Sequence, residues 1–259
     1  MTLQAVIFDV DGTLAETEEL HRAAFNAAFA EAGLDWVWER ELYYELLAVE
    51  GGLARIRHYA EAWRPRDLAM MEHAGAIEAL HASKTAHFLA SMEEGAALRP
   101  GVGRLLSDLR GSGVRIAACT TSTREAFEGL ILNAFGFEAL DWFAAVVTRE
   151  DVQAPKPDPA PYRLVLERLG LRPECALAIE DSARGVASAR GAGLDVVAAP
   201  GIYTRGEDFS QALVVLSDLG EPHVPFEVLA GDPGPFSWVD PDALRWWHAQ
   251  VGAGRGAAA

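Results

Sequence analysis

Cysteine is scarce in this sequence of 259 residues, with Cys119 and Cys175 the only two. Both lie inside apolar runs, so they read as core thiols of a reduced compartment, and a disulfide framework is excluded. No Cys/His spacing of the zinc-binding kind occurs. Basic residues are also few: 22 Lys and Arg stand against 38 Asp and Glu, a formal net charge of −16. That balance excludes nucleic acid as a partner, since a polyphosphate backbone needs a basic surface. It leaves room for small phosphorylated ligands, which need only a few local cations and a metal. No apolar stretch is long enough to span a bilayer, and no charged leader precedes the first strand. A cytoplasmic protein without a membrane partner is expected, working as a monomer. Internal repeats are missing, and low complexity is confined to the Gly/Ala-rich end (252–259), where fraying is expected.

Half of the residues are hydrophobic. That is enough for a full core, in one large domain or two unequal ones. The most informative segment is Asp9-Val10-Asp11-Gly12-Thr13. The run Ala5-Val6-Ile7-Phe8 before it reads as a buried strand, so two carboxylates two residues apart leave a strand end on one side of the chain. Further short runs rich in Val, Ile and Ala begin at Arg115, Ala144, Ala176, Asp195 and Leu213. They have the continuous apolar character of strands covered on both faces. Helical patterns alternate with them at 124–135, 161–169 and 183–192. The alternation implies an α/β fold, a doubly wound parallel sheet with Rossmann-like character. Residues 222–239, rich in Pro and Gly, read as irregular. A last helix is expected at 241–250, packing Trp246 or Trp247 on the core.

Residues 16–91 break the rhythm. No strand-like run occurs there, and His21, Ala24, Phe25, Ala28, Phe29 and Ala32 form one stripe at helical spacing. This block reads as an all-helical cap inserted into a catalytic core made of 1–15 and 92–259.

In an open parallel sheet, ligands bind beyond the carboxyl ends of the strands. Polar groups fall at four consecutive ends: Asp9 and Asp11, then Thr120 and Thr121, then Lys156, then Glu180 and Asp181. Each alone has a plain explanation. One of Thr121, Ser122 and Thr123 caps the following helix, an isolated lysine is usually solvated, and Glu180 or Asp181 could cap the helix near Ala183. Together they suit phosphoryl chemistry. A carboxylate approaches an anionic phosphoryl group only when its charge is neutralised, as by Mg²⁺ held in oxygen ligands, by Lys156 and by N–H groups at a helix start. Asp9 then serves as nucleophile, and Asp11 as general acid and base.

These residues resemble the motifs of the haloacid dehalogenase-like superfamily, mostly Mg²⁺-dependent phosphohydrolases. The resemblance implies Asp9 as nucleophile and metal ligand. It implies Asp11 as acid/base, ligating metal through its backbone carbonyl. Thr120 matches the second motif, Lys156 the third, and Glu180-Asp181 the acidic metal-binding pair, with Asp181 the better direct ligand. The insert lies where the helical-cap subclass carries it.

Glu16-Thr17-Glu18-Glu19-Leu20-His21, Gly51-Gly52-Leu53-Ala54-Arg55-Ile56 and His81-Ala82-Ser83-Lys84-Thr85 resemble the sugar-phosphate branch, which includes β-phosphoglucomutase and the CbbY-type phosphatases. Cys119-Thr120-Thr121-Ser122 and residues 216–222 are closer to the CbbY type. The implied reaction is hydrolysis of a small phosphorylated sugar, xylulose-1,5-bisphosphate, with Glu18, His21, Arg55, Lys84, Thr120, Thr121, Ser122 and Lys156 contacting substrate. Arg55 is the expected ligand of the distal phosphate, since a guanidinium grips it bidentately; without the resemblance, Arg55 and Lys84 read as decoration of an exposed helix face. Leu53 stands where a lysine is expected, and Arg124 where a smaller polar residue is usual. The alternatives are a β-phosphoglucomutase-type mutase and a phosphatase of another small phosphate such as phosphoglycolate. A receiver domain would be about half this length, and a non-catalytic phosphosugar sensor is opposed by the intact Asp9, Asp11, Lys156 and Asp181.

Overall fold

The computed structural model describes residues 2–49, 51–95 and 97–256. The chain divides into two compact units, Met1–Glu16 with Ala97–Ala259, and Thr17–Ala96.

The first unit is built on seven strands: β1 (Ala5–Phe8), β2 (Arg115–Cys119), β3 (Phe143–Val147), β4 (Ala176–Glu180), β5 (Asp195–Ala198), β6 (Val214–Leu216) and β7 (Val228–Gly231). Their order across the sheet is β3-β2-β1-β4-β5-β6-β7. β1, β4 and β5 are buried along their whole length, as central strands covered on both faces must be. Pairing is parallel from β3 to β6. Here β7 departs from expectation. It lies inside the stretch read as irregular and runs antiparallel to β6, with Val215 opposite Ala230. All four of its residues are exposed. A short edge strand between Pro225 and Pro233 buries no face of its own, so it leaves no hydrophobic period to read.

Helices α6 (Val102–Ser112), α7 (Arg124–Phe135), α8 (Ala160–Leu169), α9 (Ala183–Gly191) and α10 (Pro241–Gly256) complete this unit. The cap of α7 is Thr123, which accepts from Ala126 N at 3.2 Å. That of α9 is Ser182 rather than Glu180 or Asp181, accepting from Gly185 N at 3.2 Å. The two acidic residues are thereby left for other work. α10 continues past the expected residue 250 into the Gly/Ala-rich segment through Gly256; residues 257–259 of the segment expected to fray lie outside the described residues. Trp247 is the tryptophan that α10 buries, at 2% exposure.

Among the described residues the regular elements of the second unit are all helices: α1 (Thr17–Glu31), α2 (Arg40–Leu46), α3 (Gly52–Trp63), α4 (Pro65–Ala74) and α5 (Ala76–Gly95). α5 runs beyond residue 91, where the helical block was expected to end. Of the anticipated stripe, Ala24, Phe25, Ala28 and Phe29 are buried. They meet Trp36, Trp38, Tyr43 and Tyr59 in an aromatic core, with Phe25 and Trp38 centroids 4.5 Å apart and Phe29 edge-on to Trp36 at 5.3 Å. Large rings give a small helical unit much buried area for little side-chain entropy. Among the described residues no helix is long and apolar enough to cross a membrane.

Candidate active site

β2 and β3 lie on one side of β1, and β4 to β6 on the other. The winding reverses there, and a crevice opens at such a switch point. Asp9 follows β1, and its backbone N–H donates to Ile179 O of β4 at 3.0 Å. The two loops that carry the acidic residues are thus registered against each other. Gly12 holds a positive φ of 85°. A Cβ at Gly12 would stand 2.2 Å from Asp181 Oδ2, so only glycine lets the first loop pass beside Asp181.

Lys156 is the hub. Its Nζ donates to Asp9 Oδ1 at 2.7 Å, Glu180 Oε1 at 2.6 Å and Cys119 O at 2.8 Å. These three acceptors come from the ends of β1, β4 and β2, and each bond is charge-assisted or buried. Arg184 of α9 fastens the loop by donating to Lys156 O at 2.7 Å. The Tyr162 hydroxyl donates to Glu180 Oε1 at 2.6 Å. Glu180 Oε2 accepts from Asp181 N at 3.3 Å and Ser182 Oγ at 3.5 Å. Both oxygens of Glu180 therefore serve protein donors, which makes it the anchor of Lys156, whereas among the described residues the Asp181 carboxylate takes only a long 3.5 Å contact from Thr204 Oγ1.

Asp11 stands on a different pair. Asp11 Oδ2 accepts from Thr120 Oγ1 at 3.1 Å and from Ser122 Oγ at 2.6 Å, and Ser122 N donates to Thr120 Oγ1 at 2.9 Å. A hydroxyl is both donor and acceptor, so this pair supports the carboxylate and, with rotated hydroxyls, the carboxylic acid. Thr121 is exposed in the same turn.

The residues fit a divalent cation. Oxygens of Asp9, Glu180 and Asp181 lie within 4.8 Å of one another, all buried. Asp9 Oδ2 is buried with no hydrogen-bond partner. Three carboxylates against one ammonium leave uncompensated negative charge, and an all-oxygen donor set suits a hard cation. The electrostatics agree. Burial, opposed by Lys156 and reinforced by Glu180, pushes Asp9 up to about 7. Burial with Asp9 and Glu180 nearby raises Asp181 well above the carboxylate range. Lys156 is raised well above its ordinary value, because Asp9 and Glu180 together outweigh the penalty of burial. Groups so perturbed by desolvation and one another mark a functional site.

The expected substrate residues of the helical unit also come together. Lys84 Nζ meets His21 Nδ1 at 2.7 Å. Arg55 donates from Nε to Leu46 O at 3.0 Å and from Nη1 to Tyr43 OH at 3.1 Å, and Tyr43 OH donates to Glu18 Oε2 at 2.7 Å. Lys84 is buried and Arg55 half-buried, so neither decorates an exposed face. Burial, with Glu18 opposing and Arg55 assisting, brings Lys84 down to about 8. Burial beside Lys84 and Arg55 keeps His21 well below its ordinary value and hence neutral. Leu53 is exposed. Arg124 pairs with Asp151 at 3.3 Å on its own unit.

Two residues escaped the sequence reading. Tyr162 sits in the apolar stripe of α8, where a phenol has no distinguishing signal. Arg99, buried at 6% exposure, donates to the carbonyls of Gly12, Ala199, Pro200 and Ser217. Its one clue was its place before the Pro100-Gly101 turn.

Buried carboxylates, a buried lysine and a hydroxyl pair at the switch point of a doubly wound sheet define a phosphoryl-transfer hydrolase. The chain belongs to the haloacid dehalogenase-like hydrolases, whose family model matches residues 3–193. It is 42% identical over 248 residues to protein CbbY, plasmid, of Cupriavidus necator, covering 95% of this chain and 97% of that one. Among solved structures it is similar to CbbY from Rhodobacter sphaeroides in complex with xylulose-(1,5)bisphosphate, at 42% identity and a TM-score of 0.71, covering 83% of this chain and 94% of that one. A putative β-phosphoglucomutase from Thermotoga maritima is similar at 26% identity and a TM-score of 0.66, covering 82% and 94%. With this family and these relatives, the protein is an enzyme, a phosphatase.

Proposed function

We propose that this phosphatase hydrolyses a sugar bisphosphate, xylulose-1,5-bisphosphate, to xylulose 5-phosphate and phosphate, with Mg²⁺ as its metal. The observation that carries the chemistry is Asp9, with Oδ1 held by Lys156 at 2.7 Å and Oδ2 buried without a partner. The substrate rests on the 42% identity to a CbbY bound to that bisphosphate, together with a basic cluster in the helical unit.

Asp9 attacks phosphorus, the bond to the sugar oxygen breaks, and Asp11 gives its proton to the departing alkoxide. The phosphoryl group then rests on Asp9. Asp11, now a carboxylate, takes a proton from the water that attacks phosphorus, releasing phosphate and restoring Asp9. Thr120 and Ser122 hold Asp11 through both states by reversing their hydroxyls. Lys156 keeps Asp9 oriented and lends positive charge to the transferring group. Asp9 and Asp181 would hold Mg²⁺, with the Asp11 carbonyl as the resemblance implies; when bound, the ion neutralises the carboxylates and polarises the phosphoryl oxygens. In the helical unit Arg55 and Lys84 take the distal phosphate, and Glu18 and His21 the sugar hydroxyls.

Phosphate release with Mg²⁺ tests this on xylulose-1,5-bisphosphate, ribulose-1,5-bisphosphate, β-glucose 1-phosphate and phosphoglycolate, with Asp9→Asn as blank. The expected result is a strong preference for the xylulose bisphosphate over its ribulose epimer. Preference for phosphoglycolate, or conversion of β-glucose 1-phosphate to the 6-phosphate, overturns the substrate assignment.

A further inference from the structure

We propose that Phe25 is a specificity-determining residue, whose ring holds the Arg55 guanidinium and the Lys84 ammonium together as one site for a phosphate dianion. The use of that site for the distal phosphate rests on the function proposed above.

Phe25 belongs to the buried stripe of α1 and reads from sequence as plain core. In the structure Lys84 Nζ lies 4.9 Å from its ring centroid and the Arg55 guanidinium carbon 6.0 Å. Each cation has a second ring of its own, Phe88 at 5.0 Å for Lys84 and Tyr43 at 5.3 Å for Arg55. Phe25 is the ring they share. Two like charges brought close and taken out of water repel each other and lose hydration. Among the described residues the hydrogen bond of Lys84 goes to a neutral imidazole nitrogen, and the one carboxylate whose charge acts on it, Glu18, faces two cations, Lys84 and Arg55. The negative face of an aromatic ring attracts a cation without neutralising it. It lets a positive cluster persist in a partly dry place and leaves the charge for a ligand.

The approach is built into the backbone. Gly51 has a φ of 89° at the start of α3. A Cβ at Gly52 would stand 2.8 Å from His81 Nε2 and 3.3 Å from the Phe25 ring. Glycine at this position brings the first turn of α3 against Phe25 and sets Arg55, one turn on, beside the ring.

The test uses the whole chain with Phe25→Leu and, separately, with pentafluorophenylalanine in place of Phe25, which keeps the ring's shape and reverses its quadrupole. KM for the sugar bisphosphate is expected to rise roughly tenfold in both, with kcat held and the constants for a monophosphate moving less than about twofold. Titration of Lys84, followed by NMR with labelled lysine among its neighbours His21, Arg55 and Glu18, is expected to move to lower pH in the pentafluoro chain. A pentafluoro chain with unchanged bisphosphate KM and unchanged Lys84 titration makes the ring mere packing and overturns the proposal. If Phe25→Leu loosens the helical unit, the pentafluoro chain decides alone. A wild-type enzyme indifferent to the second phosphate refutes the substrate reading, and the Lys84 titration then decides whether the ring holds the cations.

Discussion

As the proposed nucleophile, Asp9 gathers three requirements at one residue: it must be buried to react, charged to attack, and oriented to do both. Lys156 and Glu180 meet the last requirement, and burial sets the cost of the second. Because the folded state holds the Asp9 proton up to about pH 7, against a value near 4 in the unfolded chain, this group's contribution to stability is full below about pH 4. It is lost as pH rises toward 7. Asp181 acts in the same direction. Asp151, held far below the carboxylate range by its bond from Arg168, acts oppositely, and its contribution disappears only in strong acid. His21, kept neutral by burial beside Lys84 and Arg55, acts the other way below about pH 6.5. The Asp9 share is therefore read by comparison: between about pH 5 and 7 the metal-free wild-type protein is expected to lose more thermal stability, or gain less, than metal-free Asp9→Asn. Saturating Mg²⁺, which would bind the ionised form, should shrink that difference. Equal pH slopes for the two proteins in chelator would contradict it. Asp9, Asp11, Lys156, Glu180 and Asp181 can be named as candidates from sequence because they follow successive strands, and the structure places Asp9, Lys156, Glu180 and Asp181 together. Tyr162 and Phe25 cannot be so named, since an aromatic residue in an apolar stripe looks the same whether it only packs or also holds a polar partner.

At the scale of elements, the strands and crossover helices were readable from continuous apolar runs and helical periods. α7 was anticipated at its observed bounds, because Thr123 marks one end and Gly136 follows the other. β7 was missed, since an exposed edge strand of four residues owes its shape to a neighbour and not to its own pattern. The joins between elements were the least legible part. Ala15 bridges to Leu98, and Arg99 N donates to Leu14 O at 2.9 Å. The Arg99 side chain then ties this pair to the segments after β5 and β6 through the Ala199, Pro200 and Ser217 carbonyls. Arg99→Met keeps much of the volume and removes every one of those donors. It is expected to cost on the order of 3–5 kcal/mol, because a buried polar network is broken from one side. Urea unfolding measures this, and a loss below about 1 kcal/mol would show that the tie carries little of the stability.

For the whole molecule, the proposed function divides two tasks between the units. The sheet unit holds the carboxylates proposed to react, and the helical unit carries a cationic cluster on an aromatic core. Chemistry common to the family can then persist while substrate choice changes with the insert. The helical stretch reads in the sequence as a break in the β/α rhythm, whereas the aromatic partners of Arg55 and Lys84 come from α1, α2 and α5 and meet only on folding. The most direct measurement of the central claim is rapid acid quench of the enzyme turning over a sugar bisphosphate with Mg²⁺, followed by mass spectrometry of the peptide carrying residue 9. A phosphoryl adduct on Asp9 is expected, absent from Asp9→Asn, which should also lose turnover. An adduct on another residue, or sustained turnover by Asp9→Asn, would contradict it.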